Sequence, residues 1–236
     1  LETSYYDSLI FDYLNKSSNE VFAKKKTLFG KKIEELRYGE NPHQKAAIYT
    51  SNSVDSLHQL SGKKLSYNNY NDLFSAVKIS NSLPKNTGTV IVKHNNPCGV
   101  SINKSKLKSY QMAYNSDPIS AFGGIVSCNF KIDRELAKRL SKKFIEIIAG
   151  KGFTTEAVRI LKKKKNLRII DSSKINLSDK INIVSNMGNY LMQTSDIKPF
   201  TKKDFYTVSN AKASKETMDN LIFAFNVCRY VKSNAI

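Results

Sequence analysis

An α/β fold with a mainly parallel mixed sheet is what the sequence predicts, from three observations. Short apolar, β-branched runs without polar alternation recur at Thr89 to Val92, Ile125 to Cys128, Phe144 to Ala149 and Leu167 to Ile170, as strands covered on both faces should. Stretches with apolar residues at helical spacing separate them, and strands alternating with helices of this length indicate crossover connections. The apolar share is 40% of 236 residues, ample for a core in one large domain or two small ones.

Tyr5 to Leu14 carries Tyr6, Leu9, Ile10, Tyr13 and Leu14 at helical spacing, and the polar stretch Asn15 to Glu20 interrupts it. Leu28 to Leu36 leads into Arg37-Tyr38-Gly39-Glu40-Asn41-Pro42-His43-Gln44, a polar segment whose Gly and Pro exclude a regular helix. Lys63 to Asp72 reads as a second polar loop, its last Asn or Asp capping a helix with Leu73, Ala76 and Val77 on the core face, which Pro84 ends. The strand at Val90 follows, then a helix from about Lys104 to Tyr114, a turn at Asn115 to Pro118, and the strand Ile125 to Cys128. A helix capped by Asp133 precedes the strand ending at Ala149, and a helix from Thr154 precedes the strand ending at Ile170. Asn182 to Val184 and Tyr190 to Gln193 read as strands paired around Met187-Gly188-Asn189, and Thr194 to Lys203 as loop. Ser214 is a plausible N-cap for a helix with a stripe of Met218, Leu221, Ile222, Phe225 and Cys228.

The chemistry-bearing stretch is Val90-Ile91-Val92-Lys93-His94-Asn95-Asn96-Pro97-Cys98-Gly99, where a buried-type strand ends in a lysine and a histidine. Ligands bind at the carboxyl edge of open α/β sheets, so Lys93 and His94 are expected there. Histidine exchanges protons near neutral pH and a neighbouring cation can stabilise developing negative charge, but an ordinary loop lysine and a hydrogen-bonded structural histidine fit the same residue types. Arg37 in the earlier loop offers a fork suited to phosphate or carboxylate, and that loop too is open to a purely structural reading. Gly123 and Gly124 beside Phe122 suggest close approach of backbone to a ligand or a strand.

The formal charge of +18 would ordinarily raise nucleic-acid binding. The excess is lysine spread along the whole chain, and no interleaved aromatic-basic motif, zinc finger or ribonucleoprotein signature accompanies it, so small anionic substrates are expected rather than nucleic acid. Cys98, Cys128 and Cys228 are odd in number, widely spaced and without a C-x-x-C pair, which argues against a disulfide framework and a thiolate zinc site. No apolar run approaches the roughly 20 residues of a membrane span and the first residues lack a signal-peptide pattern, so a cytoplasmic protein with no membrane partner is expected. No G-x-G-x-x-G or G-x-x-x-x-G-K-[ST] loop is present to cradle a dinucleotide or triphosphate.

Six segments in order resemble one family: LRYGENPHQKAAIY from Leu36, LSYNNYND from Leu65, VIVKHNNPCGV from Val90, AYNSDPISAFGGIV from Ala113, FIEIIAGKGFTTEAVRILKKKKNLRII from Phe144 and LIFAFNVCRYVKSNAI from Leu221. The chain is similar to the transformylase portion of the AICAR transformylase/IMP cyclohydrolase family. The resemblance covers nearly the whole chain and departs from the family pattern in small ways, at Asn95 and in the MGNYLMQ segment. It implies a cytidine-deaminase-like three-layer arrangement and a fragment: residues 1-27 as the tail of an upstream cyclohydrolase domain with its linker, and residues 28-236 as the first, incomplete part of the transformylase domain. It also implies formyl transfer from 10-formyltetrahydrofolate to the 5-amino group of AICAR in purine (IMP) biosynthesis, by a homodimer that also carries IMP cyclohydrolase activity. This chain alone would be inactive.

Carried over residue by residue, the resemblance makes His94 the base on the attacking amine and Lys93 the stabiliser of the transition state. Arg37, Tyr38, Gly123, Glu146 and Asn234 would contact the AICAR nucleotide. The formyl donor is a folate co-substrate and no metal is required. A deaminase-like fold could suggest zinc, but the H-x-E and P-C-x-x-C signature fails here: His94-Asn95-Asn96 lacks the glutamate, and Ser101 stands where the second cysteine would. The competing reading is a non-catalytic basic nucleotide- or RNA-binding module on the same fold.

Overall fold

The computed structural model describes residues 1–16, 20–51, 57–175 and 181–232, which group into two compact units divided between residues 55 and 56. The first unit holds helix α1 (Glu2–Lys16) and an antiparallel pair, β1 (Lys31–Leu36) and β2 (Ala46–Thr50), with a bulge between Lys32 and Glu34. The polar segment at Arg37 is the connection between these strands, as its Gly and Pro required.

In the second unit β3 (His58–Ser61), α2 (Tyr67–Ser82), β4 (Gly88–Lys93), β5 (Asn96–Ile102), α3 (Lys106–Ser116), β6 (Ile125–Cys128), α4 (Arg134–Leu140), β7 (Ile147–Gly150), α5 (Thr155–Leu161) and β8 (Arg168–Asp171) follow in order. They build one six-stranded mixed sheet, β3-β8-β7-β6-β4-β5. Its centre is parallel, β6 with β7 and β7 with β8, and α4 and α5 are the crossovers between them. Around that centre β4 runs antiparallel to β6 and β5, and β3 antiparallel to β8.

Helices cover both faces, which is why the strands read as continuous apolar runs. Leu73, Ala76, Val77 and Ile79 of α2 pack with Val90, Val92, Ile125, Ile147, Ala149 and Ile170 on one face. On the other, Tyr110 of α3, Leu136 and Leu140 of α4, and Leu161 of α5 pack with Ile91, Val126, Ile148 and Ile169. The result is a three-layer α/β/α sandwich, and the alternation of Val90, Ile91 and Val92 between the two faces follows from the period of two along a strand.

Two of the differences from the sequence reading bear on the edge that carries Lys93 and His94. Lys63 to Asp72 is mostly helix, because Ser66 rather than Asn71 or Asp72 is the N-cap: its hydroxyl accepts the Asn69 N–H while the Asn69 side chain accepts the Ser66 N–H, a capping box built with an amide. Asn96 to Ile102 is a strand, β5, where the sequence reading had none, because His94 and Asn95 adopt φ of 53° and 62° and fold the chain straight back in a two-residue hairpin.

After β8 come the hairpin β9 (Ile181–Asn186) and β10 (Asn189–Thr194), a short 3-10 turn (Lys202–Asp204) and α6 (Lys215–Cys228), capped by Ser214 as expected. No residue of α6 is buried; its Phe225 meets Phe200 and Phe205 edge to face at 4.9 and 5.1 Å.

Candidate active site

Register places the Lys93–His94 end of β4. Val92 pairs with Ile125 at the start of β6, Ile125 with Ile147 at the start of β7, and Ile147 with Arg168 at the start of β8. Because β4 runs against the parallel strands, its carboxyl end lies beside their amino ends. Lys93 and His94 therefore stand at the carboxyl end of β4, as read from the sequence, but at the amino edge of the parallel centre, opposite to the edge that the rule for open sheets names. The hairpin is the physical reason: it turns the chain back, so that α3 delivers β6 antiparallel to β4.

That edge gathers four of the candidate residues into a row. Lys93 ends β4 and His94 follows it in the turn, Gly123 stands two residues before β6, and Glu146 stands one residue before β7. Backbone bonds extend the ladder along the row: Gly123 N–H donates to the Phe144 carbonyl at 3.0 Å, Glu146 N–H to Gly124 at 3.2 Å and Arg168 N–H to Glu146 at 3.1 Å. The Lys93 ammonium donates to the Phe122 carbonyl at 3.0 Å, which ties the end of β4 to the glycine loop. Gly123 has φ 73° and an added Cβ would lie 3.1 Å from the Phe144 ring, so both backbone and space favour glycine. The Phe122 and Phe144 rings, 4.9 Å apart and more than half exposed, border the row. His94 itself is exposed, its imidazole accessible to a reactant.

The Glu146 carboxylate is held from two sides. Asn69 Nδ2 donates to its Oε2 at 3.0 Å, and Arg168 Nη1 lies 3.7 Å from the same oxygen. Asn69 thus splits its amide, the oxygen capping α2 and the nitrogen orienting Glu146. Arg168 also donates from Nε to the Lys64 carbonyl at 3.3 Å, which fixes its guanidinium. Nearby, Ser120 bonds the Asp117 carboxyl, its N–H at 2.9 Å, and holds it below the usual carboxylate range. Burial pushes the Cys98 thiol up and the Cys128 thiol to about 12, so neither supplies a thiolate near neutral pH.

Arg37 and Tyr38 belong to the first unit. The Arg37 guanidinium lies 5.7 Å from the Tyr38 ring centre, in cation–π range. Arg37 also lines a recess of about 580 Å³ with Lys32, Glu35, His43 and Lys45; Glu35 is ion-paired with Lys32 at 2.8 Å, and the recess is cationic on balance. Gly39 N–H bonds the Gln44 carbonyl at 2.9 Å and Asn41 N–H the Gln44 side chain at 2.7 Å, so the loop is a closed, ordered one. Asn234 lies outside the described residues. Among the described residues no three His, Cys, Asp or Glu side chains come together to hold a metal ion, and no helix is long and apolar enough to cross a membrane.

Asn69 and Arg168, which brace Glu146, were not legible in the sequence as its partners. Asn69 had one signal, the S-x-x-N spacing from Ser66, which resembles a capping box with the usual Glu or Gln replaced.

The fold is a mixed α/β/α sandwich that carries a Lys-His hairpin, a glycine loop and a braced carboxylate along one sheet edge. The match to known sequences is more specific. The AICARFT/IMPCHase bienzyme family model matches residues 1–236, and the chain belongs to that family. It is 42% identical to the bifunctional purine biosynthesis protein PurH of Clostridium kluyveri over 237 residues, covering 99% of this chain and 46% of that protein. The proteins of the same name from Brachyspira hyodysenteriae and Aquifex aeolicus are 41% and 39% identical, over 99% of this chain and 47% and 46% of theirs. The chain thus spans about half the length of the curated relatives it matches.

Proposed function

We propose that this chain carries the acid–base half of a formyltransferase site in a bifunctional purine-biosynthesis enzyme, with AICAR as acceptor and 10-formyltetrahydrofolate as formyl donor. The observation that carries the reading is the row of Lys93, His94, Gly123 and Glu146 along one sheet edge, with His94 exposed. The amine of AICAR attacks the formyl carbon and gives up a proton to His94. The Lys93 ammonium stabilises the oxyanion that develops on the formyl oxygen, and the carbon–nitrogen bond to the folate breaks as that nitrogen takes a proton. Gly123 and the carboxylate of Glu146 offer a close backbone approach and acceptors for sugar hydroxyls, and Arg37 with Tyr38 suits the nucleotide phosphate. Asn234 is proposed as a further nucleotide contact. In this reading residues 1-27 are the tail of a cyclohydrolase domain, and the whole protein is a cytoplasmic homodimer that also forms IMP.

The same reading makes the 236 residues inactive alone. Two reactants held in near-attack geometry can account for roughly 7 to 11 kcal/mol of barrier lowering, and the proposal assigns much of the folate pocket elsewhere in the whole protein. Assaying the full-length protein and this chain with AICAR and 10-formyltetrahydrofolate tests both statements. Turnover by the full-length protein and none by the chain is expected. No turnover by the full-length protein would remove the formyl-transfer reading, and salt-dependent RNA retention without AICAR binding would favour a binding module in its place. Comparable turnover by this chain would show a self-contained site.

A further inference from the structure

The turn that carries His94 is held from α2. In a two-residue hairpin the central residues lie outside the strand ladder, so their backbone N–H and C=O groups need partners from elsewhere. At Asn95 both find them on one helix. The Asp72 carboxylate Oδ1 accepts the Asn95 N–H at 2.7 Å, and the Ser75 hydroxyl donates to the Asn95 carbonyl at 3.3 Å. A third bond, from Asn96 Nδ2 to the His94 carbonyl at 3.2 Å, closes the turn on itself.

We propose that Asp72 is a positioning residue for His94, acting with Ser75 through the backbone of Asn95. The helix that supplies these bonds is firmly seated, since Leu73, Ala76 and Val77 between and beside them are fully buried. It also orients the carboxylate of the row: Asn69, one turn before Asp72, donates to Glu146. One helix face therefore bonds both the turn that carries His94 and the Glu146 carboxylate. Two successive non-glycine residues with left-handed φ are disfavoured for an unsupported chain, and the Asp72 bond offsets that preference. A side chain needed only for the fold could have anchored either strand; this pair bonds the turn residue that follows His94.

The inference rests on the reading of His94 as proton acceptor, and the test separates the two. In the full-length protein Asp72→Ala should lower kcat about tenfold or more and leave KM for AICAR within about threefold, because a displaced base weakens the chemical step. Asp72→Asn keeps an oxygen acceptor for the Asn95 N–H and should recover kcat to within about threefold of the parent. Adding Asp72→Ala to His94→Ala should cost less than about twofold more, since a residue acting through His94 has nothing left to position. Hydrogen exchange adds an arm independent of turnover: the Asn95 amide should exchange at least about tenfold faster in Asp72→Ala and not in Asp72→Asn, with β4 unchanged. Should Asp72→Ala not fold, Ser75→Ala carries the test, with a smaller kcat loss that disappears on a His94→Ala background. An unchanged kcat in Asp72→Ala, equal damage from Asp72→Asn, or losses that multiply in the double variant would overturn the proposal. If the parent shows no formyl transfer, the His94 reading fails, and the exchange arm still decides whether Asp72 fixes the turn.

Discussion

Lys93 to Asn96 and Asn186 to Asn189 close two antiparallel hairpins through two-residue turns with positive φ at both central positions, 53° and 62° at His94 and Asn95 and 50° and 77° at Met187 and Gly188. The backbones are nearly the same and the surroundings are opposite. The first turn ends a buried strand and is bonded to α2 and to the glycine loop. The second has Met187 94% exposed and nothing within 4 Å of a Cβ added at Gly188. A turn type therefore does not make a site. What distinguishes the first is that its strained geometry is fixed by groups outside it, which is the condition for presenting a side chain in one place.

Substituting the first central residue of each turn should separate the two hairpins most widely. In the full-length protein His94→Ala should lower kcat by about 100- to 10,000-fold while AICAR still binds, since that is the range of a lost general base. Met187→Ala should change kcat by less than about twofold. Near-normal turnover in His94→Ala would sink the role given to the imidazole.

The strands behind the turns give the next largest difference. Ile91 is 1% exposed in β4 and Leu191 is 67% exposed in β10. Ile91→Ala should cost about 2–5 kcal/mol by denaturant unfolding, from lost burial and the cavity left behind. Leu191→Ala should stay within about 0.5 kcal/mol. A large loss at Leu191 would mean that the second hairpin is covered in solution.

The smallest effect sharpens the point about strain. Met187 has no side-chain reason for a left-handed φ, so Met187→Asn, which creates the Asn-Gly pair preferred by such turns, should stabilise by about 0.5–1 kcal/mol in thermal melts. A loss of stability would show that the Met187 side chain makes a contact of its own.

Much of the second unit was readable because its residues obey local rules. Ile125 to Cys128 is strand as expected, Asp133, Thr154 and Ser214 cap helices, and the β9-β10 hairpin turns at Met187-Gly188. What escaped depends on long-range pairing. β3 has no apolar run, and its place beside β8 comes from pairing with a strand more than a hundred residues away. β5 was hidden by Asn96 and Pro97, residues that usually end strands, and Pro97 fits because β5 is an edge strand. The antiparallel course of β4, and with it the end of the sheet where Lys93 and His94 stand, follows from the hairpin rather than from any pattern in the strands themselves. Lys93 and His94 stood out because charged and ionisable residues ended an apolar run. Asn69, Asp72 and Arg168 did not, because their roles consist of bonds to residues 77, 23 and 22 positions away.

In the function proposed, AICAR binds along the row at the sheet edge, from the His94 turn through Gly123 to Glu146. Hydrogen exchange of the full-length protein with and without saturating AICAR, read by peptide mass spectrometry, tests it most directly. Slower exchange in residues 93–96, 121–124 and 144–147, with residues 186–189 unchanged, is the result expected. AICAR binding that protects none of those three segments would place the nucleotide elsewhere and contradict the account.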